Sequence, residues 1–350
     1  PPPPPPPPVQ AEDGIRDDIS CLVGSEMCIR DSLAARDGAA VRGVLRRDVD
    51  HTGAAERVEV GERQITHAAR RLAGRARAPW AGVPSLPMTD ATASSPAELP
   101  YDPHAHLRTD AVRFLEIVAD HGFDRAVPSC PGWNLGDLAW HLGGVWNRWG
   151  RIVSEGITTR EGVEAIGRPR RPSDDLLLDW VTSAHTSMFS ALARASDDTE
   201  VWTWTGSNQP EVWVERRMTQ ETAVHRWDAA NAVGVPYEIP VAVAADGIDE
   251  FLTWFAARRV ADEAAPVGGS VHLHCTDTGA DARASVNGEW LVSHLDEAGI
   301  AFSREHAKGD AAVRGRANDL LLWLWRRDDS GVDIIGDTAV AERFRAFPAL

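Results

Sequence analysis

Lysine is almost missing from this 350-residue chain: Lys308 is the only one, and the other 35 of its 36 cations are arginine. With abundant alanine and 29 glycines, that bias points to a GC-rich bacterial source. Cysteine is also scarce. The four, at 21, 28, 130 and 275, have neither metal-finger spacing nor the pattern of a bridged framework, so a reducing cytoplasm is the expected compartment. No run of eighteen apolar residues exists, which excludes a helical membrane span, and no charged-then-apolar secretory leader is seen. Clustered cations are missing as well. The net charge is −16, the wrong sign for a phosphate-binding surface, so no nucleic-acid partner is expected.

What is present is unevenly distributed. Residues 1–87 hold 12 Arg against 12 Asp and Glu, and residues 88–350 hold 24 cations against 40 anions, which is the whole −16. The first segment opens on eight prolines, an extended solvated helix at best, and continues through "AEDGIRDDISCLVGSEMCIRDS", which resembles translated sequencing-adapter strings. Residues 1–87 are therefore expected to be a non-native or disordered leader, with Met88 as the natural start. The alternative is a Pro-rich ligand for another protein.

From Met88 onward the apolar spacing predicts helices. The first covers about 103–121 and stops at Gly122. The second, "NLGDLAWHLGGVWNRWGRIV", is capped by Asn134 with Asp137 three residues on. After a Gly/Arg/Pro loop, Ser173 caps a third, lined by Leu177, Trp180, Ala184, Met188 and Leu192. The fourth is "RRMTQETAVHRWDAANAVG", residues 216–234. Four amphipathic helices over 88–235 describe a bundle. A fifth helix over 241–261, strand-like "GGSVHLHCTD", "GEWLVSHL", "IAFSREH" and "AAVRGRA", a helix "NDLLLWLWRR" capped by Asn318, and a final strand and helix describe a smaller α+β domain over 236–350. The fold class is α+β with two domains.

Glu221 and His225 lie four apart, on one face of the fourth helix. His141, between Leu138 and Val145, shares the apolar face of the second. Two imidazoles and a carboxylate inside a bundle suit Zn²⁺ and leave a coordination position open, as catalytic zinc requires. An inward histidine also serves as a hydrogen-bonded core residue, and Glu-x-x-x-His as a surface pair worth a few tenths of a kcal/mol. Spacing leaves both readings open.

"VPSCPGWNLGDLAWHLGGVWNRW", followed by "VWTWT" and "RRMTQETAVHRWDAANAVG", resembles the mycothiol-dependent maleylpyruvate isomerase family of actinobacteria; "AAVRGRANDLLLWLWRR" resembles its C-terminal signature. The resemblance spans about 100–350. It implies a DinB-like four-helix bundle followed by a smaller sterol-carrier-like α+β domain. It also implies a divalent metal, zinc above all, on His141, Glu221 and His225, and mycothiol as thiol cosubstrate. The implied chemistry is isomerisation or thiol transfer on a small, anionic, unsaturated metabolite. Arginines bind carboxylates bidentately, so Arg326 and Arg327 are the expected substrate-anion residues, with Arg217, Arg314 and Arg316 as further candidates. Asp228, one turn from the ligands, is placed to hydrogen-bond one of them. Cys130 reads as a small core residue before a Pro-Gly turn, or else a redox thiol. His185 reads as packed or as a nearby acid/base group, and Trp133, Trp202 and Trp204 as packing or a pocket wall. A metal-dependent hydrolase and a non-enzymatic binder of an apolar small molecule are the alternatives on the same scaffold. Neither membrane nor nucleic acid is an expected partner, and a monomer or weak homodimer is the expected state.

Deletion of residues 1–87 should leave thermal unfolding and metal binding unchanged. A loss of more than about 1 kcal/mol in the truncated protein would show that the segment packs on the core.

Overall fold

The structure, a computed structural model, describes residues 99–256, 268–279, 287–295 and 299–347. The expected leader lies outside them, as does the 257–261 end of the expected fifth helix. Helix α1 is Pro103–His121, with the Asp102 side chain accepting from Ala105 N at its start. Helix α2 is Leu135–Ser154, and both halves of its capping box are made: Asp137 N donates to Asn134 Oδ1 at 2.8 Å and Asn134 N to Asp137 Oδ2 at 3.2 Å. The stretch expected to be a plain loop contains a short helix, α3, Arg160–Ile166, capped by Thr159; seven residues carry too little apolar periodicity to announce it. Helix α4 is Asp174–Leu192, preceded by Ser173, whose side chain makes no capping bond.

A two-residue ladder, β1 Glu200–Val201 with β2 Gln209–Pro210, leads into the longest helix, α5, Glu211–Val233, which ends at Gly234 in the left-handed conformation (φ 73°). Helix α5 begins five residues before the quoted motif because Trp213 and Val214 are buried too. In the bundle α2 lies along α4, and α1 along α5.

The α+β domain opens with α6, Val241–Glu250, which passes into a π-helical turn at Phe251–Ala256. Strands β3 Ser270–Cys275, β4 Glu289–Leu295, β5 Gly299–Ser303, β6 Ala311–Gly315 and β7 Val332–Gly336 form one sheet in the order β5-β4-β3-β6-β7. All neighbours are antiparallel except β3 and β6. Helices α7 Ala317–Leu324 and α8 Thr338–Ala346 both pack against β3, β6 and β7. Alternation sends Val271, Leu273 and Cys275 of β3 into the core and His272 and His274 to the opposite face. Asn318 does not cap α7, which starts after Arg316. Its side chain instead accepts from Ile239 N at 2.9 Å, joining the interdomain segment to the helix.

Helix α5 belongs to two cores at once. Val214, Met218 and Ala229 pack with the bundle, while Ala223 and Val224 pack with the α+β domain around Ile248, Phe251 and Leu321. Among the described residues no helix is long and apolar enough to cross a membrane.

Where α2 meets α4 the helices touch through glycine: a Cβ on Gly150 would lie 2.9 Å from Met188 Cα, whereas one on Gly144 would meet nothing within 4 Å. Gly144→Ala should therefore stabilise by about 0.5–1 kcal/mol through helix propensity. Gly150→Ala should destabilise by about 1–3 kcal/mol through overpacking. Urea unfolding of the two variants checks the opposite signs.

Candidate metal centre

Two helices build the centre. His141 projects from α2 and meets Glu221 and His225 of α5: both His141 Nε2 and His225 Nε2 lie 3.3 Å from Glu221 Oε1. The His141 and His225 rings are 4.9 Å apart and nearly perpendicular. All three donor atoms lie within 4.8 Å of one another. The group is enclosed, with 11 % of the His141 side chain exposed, 5 % of Glu221 and 8 % of His225. The indole of Trp133 stands 5.2 Å from the His141 ring and helps to close it.

The surroundings fix each member. Asp228 Oδ2 lies 2.8 Å from His225 Nδ1. When that nitrogen donates to the carboxylate, a neutral ring turns its Nε2 lone pair toward Glu221 Oε1. Two lone pairs facing at 3.3 Å repel unless a proton or a cation lies between them. In a tetrahedral site with bonds of about 2.0–2.1 Å, neighbouring donors are about 3.3 Å apart. The two nitrogen–oxygen separations match that edge, so the donor set fits a small divalent ion.

Glu221 has a second claim on it. Arg217, buried on the same helix, pairs with Glu221 Oε2 and places Nη1 2.7 Å from Glu250 Oε2 of α6. Its guanidinium also lies over the Phe255 ring at 5.2 Å. Arg217 is thus committed to holding Glu221, and it leaves Oε1 for the histidines. Part of the positive charge that this buried carboxylate needs is therefore supplied by the protein itself, from a neighbour one turn away.

Arg327 comes from the α+β domain and reaches Asp228: Nε is 3.3 Å from Oδ1 and Nη2 3.4 Å from Oδ2. It also donates to the Trp325 carbonyl at 2.8 Å. Arg326, at φ 58°, sets its guanidinium on the Arg345 carbonyl. Arg316 pairs with Glu238, and Arg314 is exposed on the outer sheet face. Of the expected arginines, Arg217 and Arg327 stand at the centre.

Electrostatics follow from this geometry. Burial penalises a charged Glu221, but the Arg217 charge and the two histidine bonds outweigh it and hold the carboxyl well below its usual range. Asp228 is treated alike by burial, Arg327 and His225, and is also held low. Burial lowers the His141 pKa. In His225 the same penalty is overcome by bonds to Asp228 and Glu221, and its pKa rises. Cys130 Sγ lies 3.6 Å from Asp228 Oδ2; burial and that neighbouring charge push the thiol up to about 12, which disfavours the thiolate. His185 packs between Trp146 and Phe189, and burial brings it down to about 4. Trp204 packs with Trp213, Trp254 and Phe255. Glu250 was not singled out in the sequence. Only the approach of α6 to α5 shows it, and burial raises its carboxyl to about 7 against the Arg217 and Arg216 charges.

Fold and site define a class: two-domain enzymes in which a helical bundle holds an internal His₂Glu group and a small α+β domain supplies charges that orient it. The model of the mycothiol maleylpyruvate isomerase N-terminal domain matches residues 104–230, and that of the same family's C-terminal domain matches residues 242–343. The chain belongs to the mycothiol maleylpyruvate isomerase family. Two solved structures, the mycothiol-dependent maleylpyruvate isomerase and a point mutant of it, are each 14 % identical, cover 68 % of this chain and 92 % of their own, and superpose with TM-scores of 0.45 and 0.44. No curated protein matches the chain.

Asp228→Asn should cost about 3 kcal/mol, because it strands the buried Arg327 charge. Both Asp228 and Glu221 have depressed folded pKa values, so their stabilisation is present above about pH 4 and lost as the pH falls below it. The Asn variant should show a shallower acid limb, and Arg327→Met in the same background should restore part of the loss. Urea melts from pH 3 to 7 test both expectations; additive losses would deny the coupling.

Proposed function

We propose that this chain is a metal-dependent, mycothiol-using isomerase or thiol transferase acting on a small, unsaturated, anionic metabolite, with Zn²⁺ held by His141, Glu221 and His225. The observation that carries the reading is the convergence of three donor atoms within 4.8 Å of one another, both nitrogens 3.3 Å from the carboxylate oxygen, with His225 Nε2 aimed inward by Asp228. Zinc, when bound, supplies a positive charge that lowers the pKa of a neighbouring thiol by several units. The protein's residues do the rest. Asp228 keeps His225 in one tautomer. Arg217 neutralises the outer oxygen of Glu221. Arg327 acts through Asp228 as a positioning residue. Burial of Cys130 beside the Asp228 carboxylate favours a thiol brought from outside over one from the chain.

In the isomerase version the incoming thiolate adds to one carbon of the cis double bond. The displaced electron pair moves onto the conjugated carbonyl. The former double bond is now single and rotates. The carbon–sulfur bond then breaks, the pair returns to form the trans alkene, and the thiolate leaves unchanged. A transferase would stop at the adduct, or displace a leaving group.

His225→Ala should lower bound zinc by about one ion per chain, read by elemental analysis. Glu221→Gln should reduce thiol-dependent turnover of maleylpyruvate-like cis-enoyl acids by about 100-fold or more. Asp228→Asn should weaken metal affinity by about 10–100-fold. Equal metal in wild type and His225→Ala would remove the site. Hydrolysis of esters or amides that runs without mycothiol and is suppressed by it would replace the thiol reading with a hydrolase.

A further inference from the structure

A second cluster of metal-binding side chains lies in the α+β domain, away from the bundle centre. On β3, His272 and His274 are two apart and share the sheet face opposite the core. Antiparallel register puts Glu289 of β4 directly across from His274. His306 follows β5 and folds back over the same face. His272 Nε2 lies 2.9 Å from Glu289 Oε2, His274 Nδ1 lies 3.4 Å from it, and His306 Nδ1 meets the same oxygen. The four donor atoms lie within 4.8 Å of one another. The three rings stand 75–90° apart, with centroids at 5.1–6.4 Å.

That focus is difficult to explain by hydrogen bonding alone. One carboxylate oxygen has two lone pairs in its plane. Three imidazoles can all donate to it only if each turns an N–H to the same point. If the rings are neutral and one presents its acceptor nitrogen, lone pair faces lone pair. If all three carry protons on both nitrogens, three like charges crowd within about 6 Å. A divalent cation resolves both difficulties, because all four atoms then act as donors to it. Three imidazole nitrogens and one carboxylate oxygen are a borderline set that suits zinc, and four protein ligands make a closed, structural site rather than a catalytic one.

We propose that His272, His274, Glu289 and His306 form a second Zn²⁺ site, which ties the segment after β5 to β3 and β4. His306 is the exposed member, 76 % accessible, while His272 is 10 % accessible. Three ligands are thus fixed by strand pairing, and the fourth arrives on the β5–β6 connection. Arg314, the register partner of His274 on β6, is exposed and does not complete the set. The proposal is independent of the bundle centre and of the thiol chemistry.

The test uses the full chain, stripped of metal and titrated with Co²⁺ and then Zn²⁺. In His225→Ala, which lacks the bundle group, one equivalent of Co²⁺ should still bind with the intense visible absorption of a four-coordinate ion, and one equivalent of Zn²⁺ should displace it. Adding His274→Ala and Glu289→Gln to that background should abolish the absorption and weaken binding at least tenfold, with the circular dichroism unchanged. In the wild-type background the same two substitutions should lower total zinc by one ion per chain and leave thiol-dependent turnover unaltered. If His225→Ala holds no equivalent, or if its equivalent survives the added substitutions, the site does not exist. A His225→Ala protein that fails to fold moves the decision to the wild-type pair: equal zinc in both then overturns the proposal.

Discussion

Charge buried on α5 is the constraint around which the two domains are arranged. Arg216, Arg217, Glu221, His225 and Asp228 are all buried on this helix. An uncompensated charge in such a place costs several kcal/mol, so each needs a partner. Partners come from both sides. Helix α6 supplies Asp246 to Arg216 through two bonds of 2.7 and 3.0 Å, and Glu250 to Arg217. Residue 327 supplies the guanidinium for Asp228, and α2 supplies His141 for Glu221. Gln220 adds three donor contacts, to Tyr101 Oη, the Val243 carbonyl and Asp246. The metal-binding geometry is one part of a larger network of ion pairs.

This network explains why the centre can be both polar and rigid. The fixed partners leave Glu221 Oε1 and the two Nε2 atoms as the groups turned toward one another. Both rings sit on the same carboxylate oxygen, yet burial lowers the pKa of His141, while in His225 the bonds to Asp228 and Glu221 overcome burial and raise it. Aromatic side chains shield the arrangement: Trp133 stands against His141, and Phe255 of the α+β domain lies beside Arg217 while packing edge-on against Trp325 of the same domain. Low polarity around the ion pairs strengthens every interaction inside them.

Much of this was legible in the chain. The apolar spacing placed four long helices, the Asn134–Asp137 box set the start of α2, and the i, i+4 relation of Glu221 and His225 put them on one face. The inward position of His141 followed from Leu138 and Val145. The origin of the charge partners was not legible. Arg217–Glu250 and Asp228–Arg327 join residues 33 and 99 positions apart, and only domain packing brings them together. Helix α3 was missed because one buried residue, Val163, is all the periodicity it has. Asn318 looked like a cap because its type favours one, yet a longer-range bond to Ile239 won. The His272, His274, Glu289 and His306 set was half visible in the alternation of "VHLHC". Its other half depends on strand register, which spacing does not reveal.

The double allegiance of α5 has a thermodynamic corollary. Independent domains joined by a linker unfold in separate steps, each with its own enthalpy. Here one helix contributes side chains to both hydrophobic interiors, and its charges are matched from either side. Melting the α+β domain alone would bare Ala223 and Val224 and leave Arg216, Arg217 and Asp228 without their partners. An intermediate with only the bundle folded would carry both penalties. The bundle and the α+β domain are therefore tied into a single cooperative unit and should unfold in one transition.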